Sequence, residues 1–270
     1  MSSVTNSRIF VFYYKAGSVL TSDPLYQPLM AGNATLPERT KIPGDDTGDN
    51  ISAKNKYYSE LTGIYWVWKN TSQDITGSCH YRRYFTAQPE PIAYQAKRML
   101  FYLAGLYKKR YGLIYTGRID RFLPRILNYK EIGQIFSEYD AIFPVRRKFR
   151  YSVKEHYRRY HDVRDLDLLA GILDEKYPEY LAAFDQVLEG NRLYANNMFV
   201  LKKEHYGPFM NWWFDLLFEF ENRINKTDYQ GYQQRIMGFI AERLLTVWVE
   251  HQQLRIKELP VIYFKKLKKA

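Results

Sequence analysis

The chain has 270 residues, enough for one large α/β domain or two small ones with an ample core. Its 40 Lys and Arg against 29 Asp and Glu leave a formal charge of +11, which points to anionic partners: nucleic acid, nucleotide phosphates or anionic headgroups. A single cysteine, Cys79, excludes an intramolecular disulfide and a cysteine-cluster metal site, and fits a reducing compartment.

The opening MSSVTNSRIFVFYYK lacks the charged-then-apolar layout of a signal peptide. Ile9–Tyr14 is a short apolar run that reads as a buried strand. Residues 21–50, rich in Pro, Gly, Asp and Asn, read as a long loop. Asn50 or Ser52 then caps a helix to about Lys69, with Tyr58, Leu61, Thr62, Tyr65 and Trp68 on one face. Ile75–His80 reads as the next strand, which makes a βαβ start and predicts a parallel sheet covered by helices.

Further along, residues 92–110 read as a basic helix, Lys130–Phe136 as another, and Tyr139–Pro144 as a strand. Asp165 is expected to cap a helix bearing Leu166, Leu169, Ile172 and Leu173; Pro178 opens a helix closed by Gly190. Asn197–Leu201 reads as a short strand, and Phe209–Glu221 and Tyr232–His251 as amphipathic helices. PFMNWWFDLLFEFE is broken by Asp215 and Glu219, so no run has the roughly 18–20 apolar residues of a membrane span. The expectation is a cytoplasmic protein whose tail, FKKLKKA, either rests on an anionic membrane surface or stays solvated.

Residues 77–85, GSCHYRRYF, put two guanidinium groups, an imidazole and aromatic faces at a strand end, where open α/β sheets gather ligands. Arginine forks match phosphate oxygens; otherwise Arg82 and Arg83 pair with surface carboxylates. The loop GDDTGDNISAKN offers Asp45, Asp46, Asn50, Lys54 and Asn55 before a helix N-terminus, suited to a ribose and phosphates or to a plain polar turn. It has no P-loop or Rossmann glycine spacing. His161 with Asp162 and Asp165 is a further catalytic candidate, although helix capping accounts for the aspartates more simply, and DLD at Asp165–Asp167 has the letters of a metal-binding triplet but reads as a helix start.

The blocks DNISAKNKYYSELTGIYWVWKN, GSCHYRRYF, YDAIFP, NNMFVLKKEHYGPFMNWWFDLLFEFE and RIMGFIAERLLTVW, spread over residues 8–262, together resemble one family. It is the bacterial capsular and exopolysaccharide glycosyltransferase family long classed as a domain of unknown function. The resemblance implies a GT-A-like, Rossmann-type mixed sheet flanked by helices, with a helical C-terminal third. It implies one glycosyltransferase domain, with a nucleotide-sugar half (about 8–150), an acceptor half (about 151–262) and a basic tail (263–270). The implied activity is transfer of a hexosyl group, galactose or galactofuranose, from a UDP-sugar to a lipid-linked saccharide in capsule, O-antigen or exopolysaccharide assembly. The alternative is a non-catalytic basic protein that binds nucleic acid, which no recognition motif supports.

On that resemblance Arg82 and Arg83 neutralise the donor diphosphate, His80 and Tyr81 line the donor sugar, and Lys15 joins them. Members tend to carry His-Lys at the end of the first strand; this chain has Tyr14-Lys15, so that histidine's role is not carried over. The acceptor side is assigned His161, Asn196, Asn197 and Arg235. Glu242, between Ile240 and Leu244, is the candidate base, with Asp162 in reserve. No convincing metal triplet appears, which leaves a divalent cation (Mn or Mg) an open question.

Overall fold

The computed structural model describes residues 6–15, 17–103 and 112–265. Its strands are β1 (Ser7–Tyr13), β2 (Tyr26–Met30), β3 (Ile75–His80), β4 (Arg83–Phe85), β5 (Leu113–Thr116), β6 (Ala141–Pro144), β7 (Arg147–Lys148), β8 (Arg192–Leu193), β9 (Phe199–Lys202), β10 (Ile256–Leu259) and β11 (Val261–Phe264). β1 lies between β2 and β3, parallel to both, as the βαβ reading requires. Beyond β3 the sheet continues through antiparallel β9 to β6 and then β10. β3 also turns through Tyr81-Arg82 into β4, which leads to β11 and β5.

Period-2 alternation sends neighbouring side chains to opposite faces of this sheet. Phe10 and Phe12 of β1 pack with the helices Leu61–Asn70, Lys203–Arg223 and Ile236–Gln252. Ile9, Val11 and Tyr13 pack on the other side with Tyr26, Met30, Ile132 and Phe136. The result is a mixed α/β sheet flanked by helices on both faces, the expected class. Gly63 permits the first of these helices to sit on β1, because a Cβ there would lie 2.5 Å from the Phe12 ring.

Several boundaries differ from the sequence reading. The 21–50 loop contains β2, whose Pro28 argues against a strand; among the strands β2 pairs with β1, its other side is bridged at Met30 to Gly44, and an edge tolerates the missing donor at Pro28. The expected helix at 52–69 is broken by Ser59 (φ 52°), which separates Asn55–Tyr58 from Leu61–Asn70. Asp165 does not cap its helix: it lies buried inside the first turn and accepts hydrogen bonds from Tyr157 and Tyr229. The helix expected from Phe209 begins at Lys203, with Pro208 inside it. The helical C-terminal third also carries β8 to β11. The 92–110 helix is seen as Ile92–Leu103, and residues 104–110 lie outside the described residues, as do 266–270 of the basic tail. Tyr263 and Phe264 of that expected tail belong to β11.

Candidate functional site

β3 delivers His80 to the sheet's carboxyl edge, and a two-residue turn places Arg83 directly opposite it on β4. His80 Nε2 lies 2.6 Å from the Asn196 carbonyl, and since a carbonyl only accepts, the ring donates through Nε2. The Asn196 N–H donates to Glu242 Oε1 at 2.7 Å. The Asn197 amide donates to Glu60 Oε1 at 2.9 Å and to the Gly238 carbonyl at 3.3 Å. Arg235 completes the enclosure, donating to Ser59 Oγ at 2.9 Å and lying 3.4 Å from Glu60 Oε2. Thus β3, the start of the Leu61–Asn70 helix, the turn before β9 and the start of the Ile236–Gln252 helix converge on one cleft.

The backbone is held unusually here. Ser59 (φ 52°), Asn196 (φ 79°) and Asn197 (φ 49°) are three of the four non-glycine residues with positive φ among those described. Each such conformation costs on the order of 1–3 kcal/mol and persists where its surroundings over-determine it, a mark of functional sites. Asn197 Oδ1 and Arg243 Nε are also buried without a hydrogen-bond partner among the described residues. A water or a ligand hydroxyl would satisfy such atoms.

The two carboxylates of the cleft are driven apart. Burial pushes Glu242 above the ordinary glutamate range and nearby Glu60 adds to the effect, against the pull of Arg243 and the Asn196 N–H. Burial also opposes charge on Glu60, but His80, Arg235 and the Asn197 amide together hold it below that range. His80 is pushed down to about 4 by burial, with Arg83 acting the same way, so it is neutral near pH 7. The Glu242 side chain keeps 23% of its surface exposed, so it meets solvent while Glu60 is tied to its partners. Two carboxylates with separated ionisation divide into a proton acceptor and a fixed anion.

Above the cleft runs a basic aromatic rim. Tyr14 and Tyr81 share a hydrogen bond of 3.1 Å, and Lys15 lies 5.5 Å from the Tyr14 ring centre. Arg82 stands 4.9 Å over Tyr81, and both Arg82 and Arg83 approach the Tyr263 ring, at 5.5 and 5.3 Å. The hydrogen bond with Tyr81 lowers the Tyr14 pKa; partial burial opposes this, while Lys15 and Arg82 favour it. Among the described residues none of these three cations is in an ion pair with a carboxylate, so their field is available to an anion.

The 45–55 loop has a different character. Asp45 is fully buried; its oxygens accept from the N–H groups of Gly32 (2.9 Å) and Asn33 (3.0 Å) and from Ser52 Oγ (2.5 Å). A donor contact through Asp45 would require this network to open, so the residue is a loop fastener and the sequence-based donor role does not fit it. Asp46 accepts from the Asn33 amide, and Asn50 bonds within its own turn. Lys54 is paired to Glu221 at 2.7 Å, and the Asn55 amide donates to the Ser59 carbonyl and Thr62. Those contacts brace the backbone that carries Ser59 and Glu60. Asp45→Ala is expected to destabilise the fold by about 1–3 kcal/mol, because three donors lose their acceptor; urea unfolding measures it. Beside this loop Asn33, Arg39, Lys41, Pro43, Asp46 and Trp66 line a groove of about 370 Å³.

His161 Nδ1 lies 2.7 Å from Gln233 Oε1, two residues before Arg235, and its ring packs 4.1 Å from that of Phe239. Asp162 is bound by Arg164 through backbone and side chain, and that contact holds it below the ordinary range, which makes it a poor base. No group of three or more His, Cys, Asp or Glu that would hold a metal ion is gathered among the described residues. Sequence reasoning missed Glu60, Tyr14 and Tyr263 as parts of the site. Glu60 was hidden inside an unbroken helix, and Tyr263 inside an expected basic tail.

A family model described as "Domain of unknown function (DUF4422)" matches residues 8–253. Among solved structures, the chain is similar to one described as the WbbM bifunctional glycosyltransferase, apo structure, at 29% identity and a TM-score of 0.84. That match covers 97% of this chain and 46% of the other, so the chain spans about half the neighbour's length. No curated protein matches the chain.

Proposed function

This chain belongs to the DUF4422 family, and we propose that it is a glycosyltransferase moving a hexosyl group, galactose or galactofuranose, from a UDP-sugar to a lipid-linked oligosaccharide. The product would serve capsule, O-antigen or exopolysaccharide assembly. The similarity to a structure described as a glycosyltransferase supports glycosyl transfer. The observation that carries the reading is the half-buried Glu242, its pKa raised by burial, beside a fixed Glu60 and beneath a rim of cations that have no carboxylate partner among the described residues.

In this reading the donor diphosphate lies along Lys15, Arg82 and Arg83, with its sugar against His80 and Tyr81. The groove beside Trp66 and Asp46 is offered to the nucleoside. An acceptor hydroxyl enters near Asn196, Asn197, Arg235 and His161. Its oxygen attacks the anomeric carbon, its proton passes to Glu242, and the bond from that carbon to the β-phosphate oxygen breaks. The guanidinium groups stabilise the charge that develops on departing UDP. Neutral His80 adds no charge that would compete with them.

Losing one charged donor to a phosphate typically costs about 1.5–3 kcal/mol. Arg83→Ala is therefore expected to weaken UDP binding about tenfold or more, measured by titration calorimetry. Unchanged affinity in both Arg82→Ala and Arg83→Ala would remove the diphosphate from the rim.

A further inference from the structure

The helix Ile92–Leu103 is amphipathic in the wrong direction for a helix that only covers a core. Ile92, Ala96, Met99 and Leu100 fall at i, i+4, i+7 and i+8, which is one face. That face is outside: Ile92 is 83% exposed, Met99 60% and Leu100 68%. Tyr94, on the opposite face, turns inward to Thr116 (3.2 Å) and the Phe122 ring. Three of the large exposed apolar side chains of this protein therefore stand in a row on one helix.

The sequence around the helix is basic: between Gln88 and Arg125 it holds eight Lys and Arg against two acidic residues, and among the described residues Arg118 and Arg121 are exposed. The Lys265 N–H donates to the Thr116 carbonyl, and the Arg118 N–H to Thr116 Oγ1. Thr116 thus joins the base of the apolar helix, exposed Arg118 and the start of the KKLKKA tail. Lys265 is in turn bonded by Arg82 of the rim, through its carbonyl, at 3.3 Å.

We propose that this helix and the adjoining basic residues form a face that lies on an anionic bilayer, bordering the rim of the cleft. Apolar side chains in a row, set in a cationic surround, match an interfacial helix, which joins shallow insertion to attraction for anionic headgroups. A second copy of the chain fits less well. A two-fold contact through this face would bring two strongly basic segments together. The proposal concerns the surface alone and does not rest on the identity of the donor.

The test is co-sedimentation of the full chain with phosphatidylcholine vesicles, with and without phosphatidylglycerol, for the wild type and a Met99→Glu/Leu100→Glu variant. The wild type is expected to partition onto the phosphatidylglycerol vesicles, less strongly as salt is raised. The double variant should bind them about tenfold more weakly or worse, with an unchanged melting temperature as the control for folding. Absence of wild-type binding at low salt, or equal binding by the two proteins, would overturn the proposal. So would a wild-type dimer in sedimentation equilibrium that the two substitutions dissociate, since the face would then be a self-contact. UDP affinity, measured on the same samples, reports on the donor reading separately.

Discussion

Glu242→Gln is expected to cut sugar transfer by about 10²–10⁴-fold while the protein stays folded and binds UDP. Glutamine keeps an oxygen that accepts the Asn196 N–H, so the turn that holds His80 and Asn197 is retained. Arg243 loses its carboxylate neighbour but keeps its bond to the Phe239 carbonyl at 2.8 Å and its place over the Tyr157 ring. What disappears is basicity. General-base catalysis contributes about 10²–10⁴-fold, and turnover should fall by that factor. The pH dependence carries a second signature. A base works unprotonated, and burial raises the Glu242 pKa. Wild-type kcat/KM should therefore decline on acidification at a pH above the usual glutamate range, and the residual activity of the variant should lack that limb. Wild-type turnover in Glu242→Gln would reduce the residue to a partner of the Asn196 turn.

Trp213→Ala is expected to cost about 3–5 kcal/mol of stability, the range for truncating a fully buried aromatic. Trp213 has no exposed surface; it stacks on Phe209 at 4.7 Å and meets the edge of Phe199. Its indole N–H donates at 3.1 Å to the carbonyl of Ala241, the residue before the proposed base. The substitution removes packing between the two long helices and a bond beside Glu242, so activity should fall together with stability. Urea unfolding midpoints measure the effect, and a loss below about 1 kcal/mol would mean that the site collapses onto the cavity.

The parts of the fold legible in the sequence were those with a strong local signal. β1 announces itself as a short apolar run and the helices after Arg164 by 3–4 spacing, while β3 follows from its place after the first helix. β2, β10 and β11 did not, because each is four or five residues long and each contains or flanks a proline. Their pairing comes from distant strands, which no local window contains. The candidate site divides in the same way. GSCHYRRYF stands out because its charges are consecutive, and Glu242 because a carboxylate interrupts an apolar helix. Glu60 has no such contrast: its place in the cleft depends on the Ser59 break and on Asn197 and Arg235, both more than 130 residues away in sequence. Asp45 shows the reverse error. Its acidic, turn-rich neighbourhood looks like a ligand loop, yet its oxygens are used to close the chain on itself.

The most direct test of the central claim is UDP release from a panel of UDP-sugars by the purified full chain, with and without a lipid-linked saccharide acceptor. The expected result is release from one donor, a UDP-galactose or UDP-galactofuranose, that accelerates with acceptor and falls by about 10²–10⁴-fold in Glu242→Gln. No release from any donor and no affinity for UDP, together with a salt-dependent shift of generic RNA or DNA, would contradict the account and make the basic rim a nucleic-acid surface.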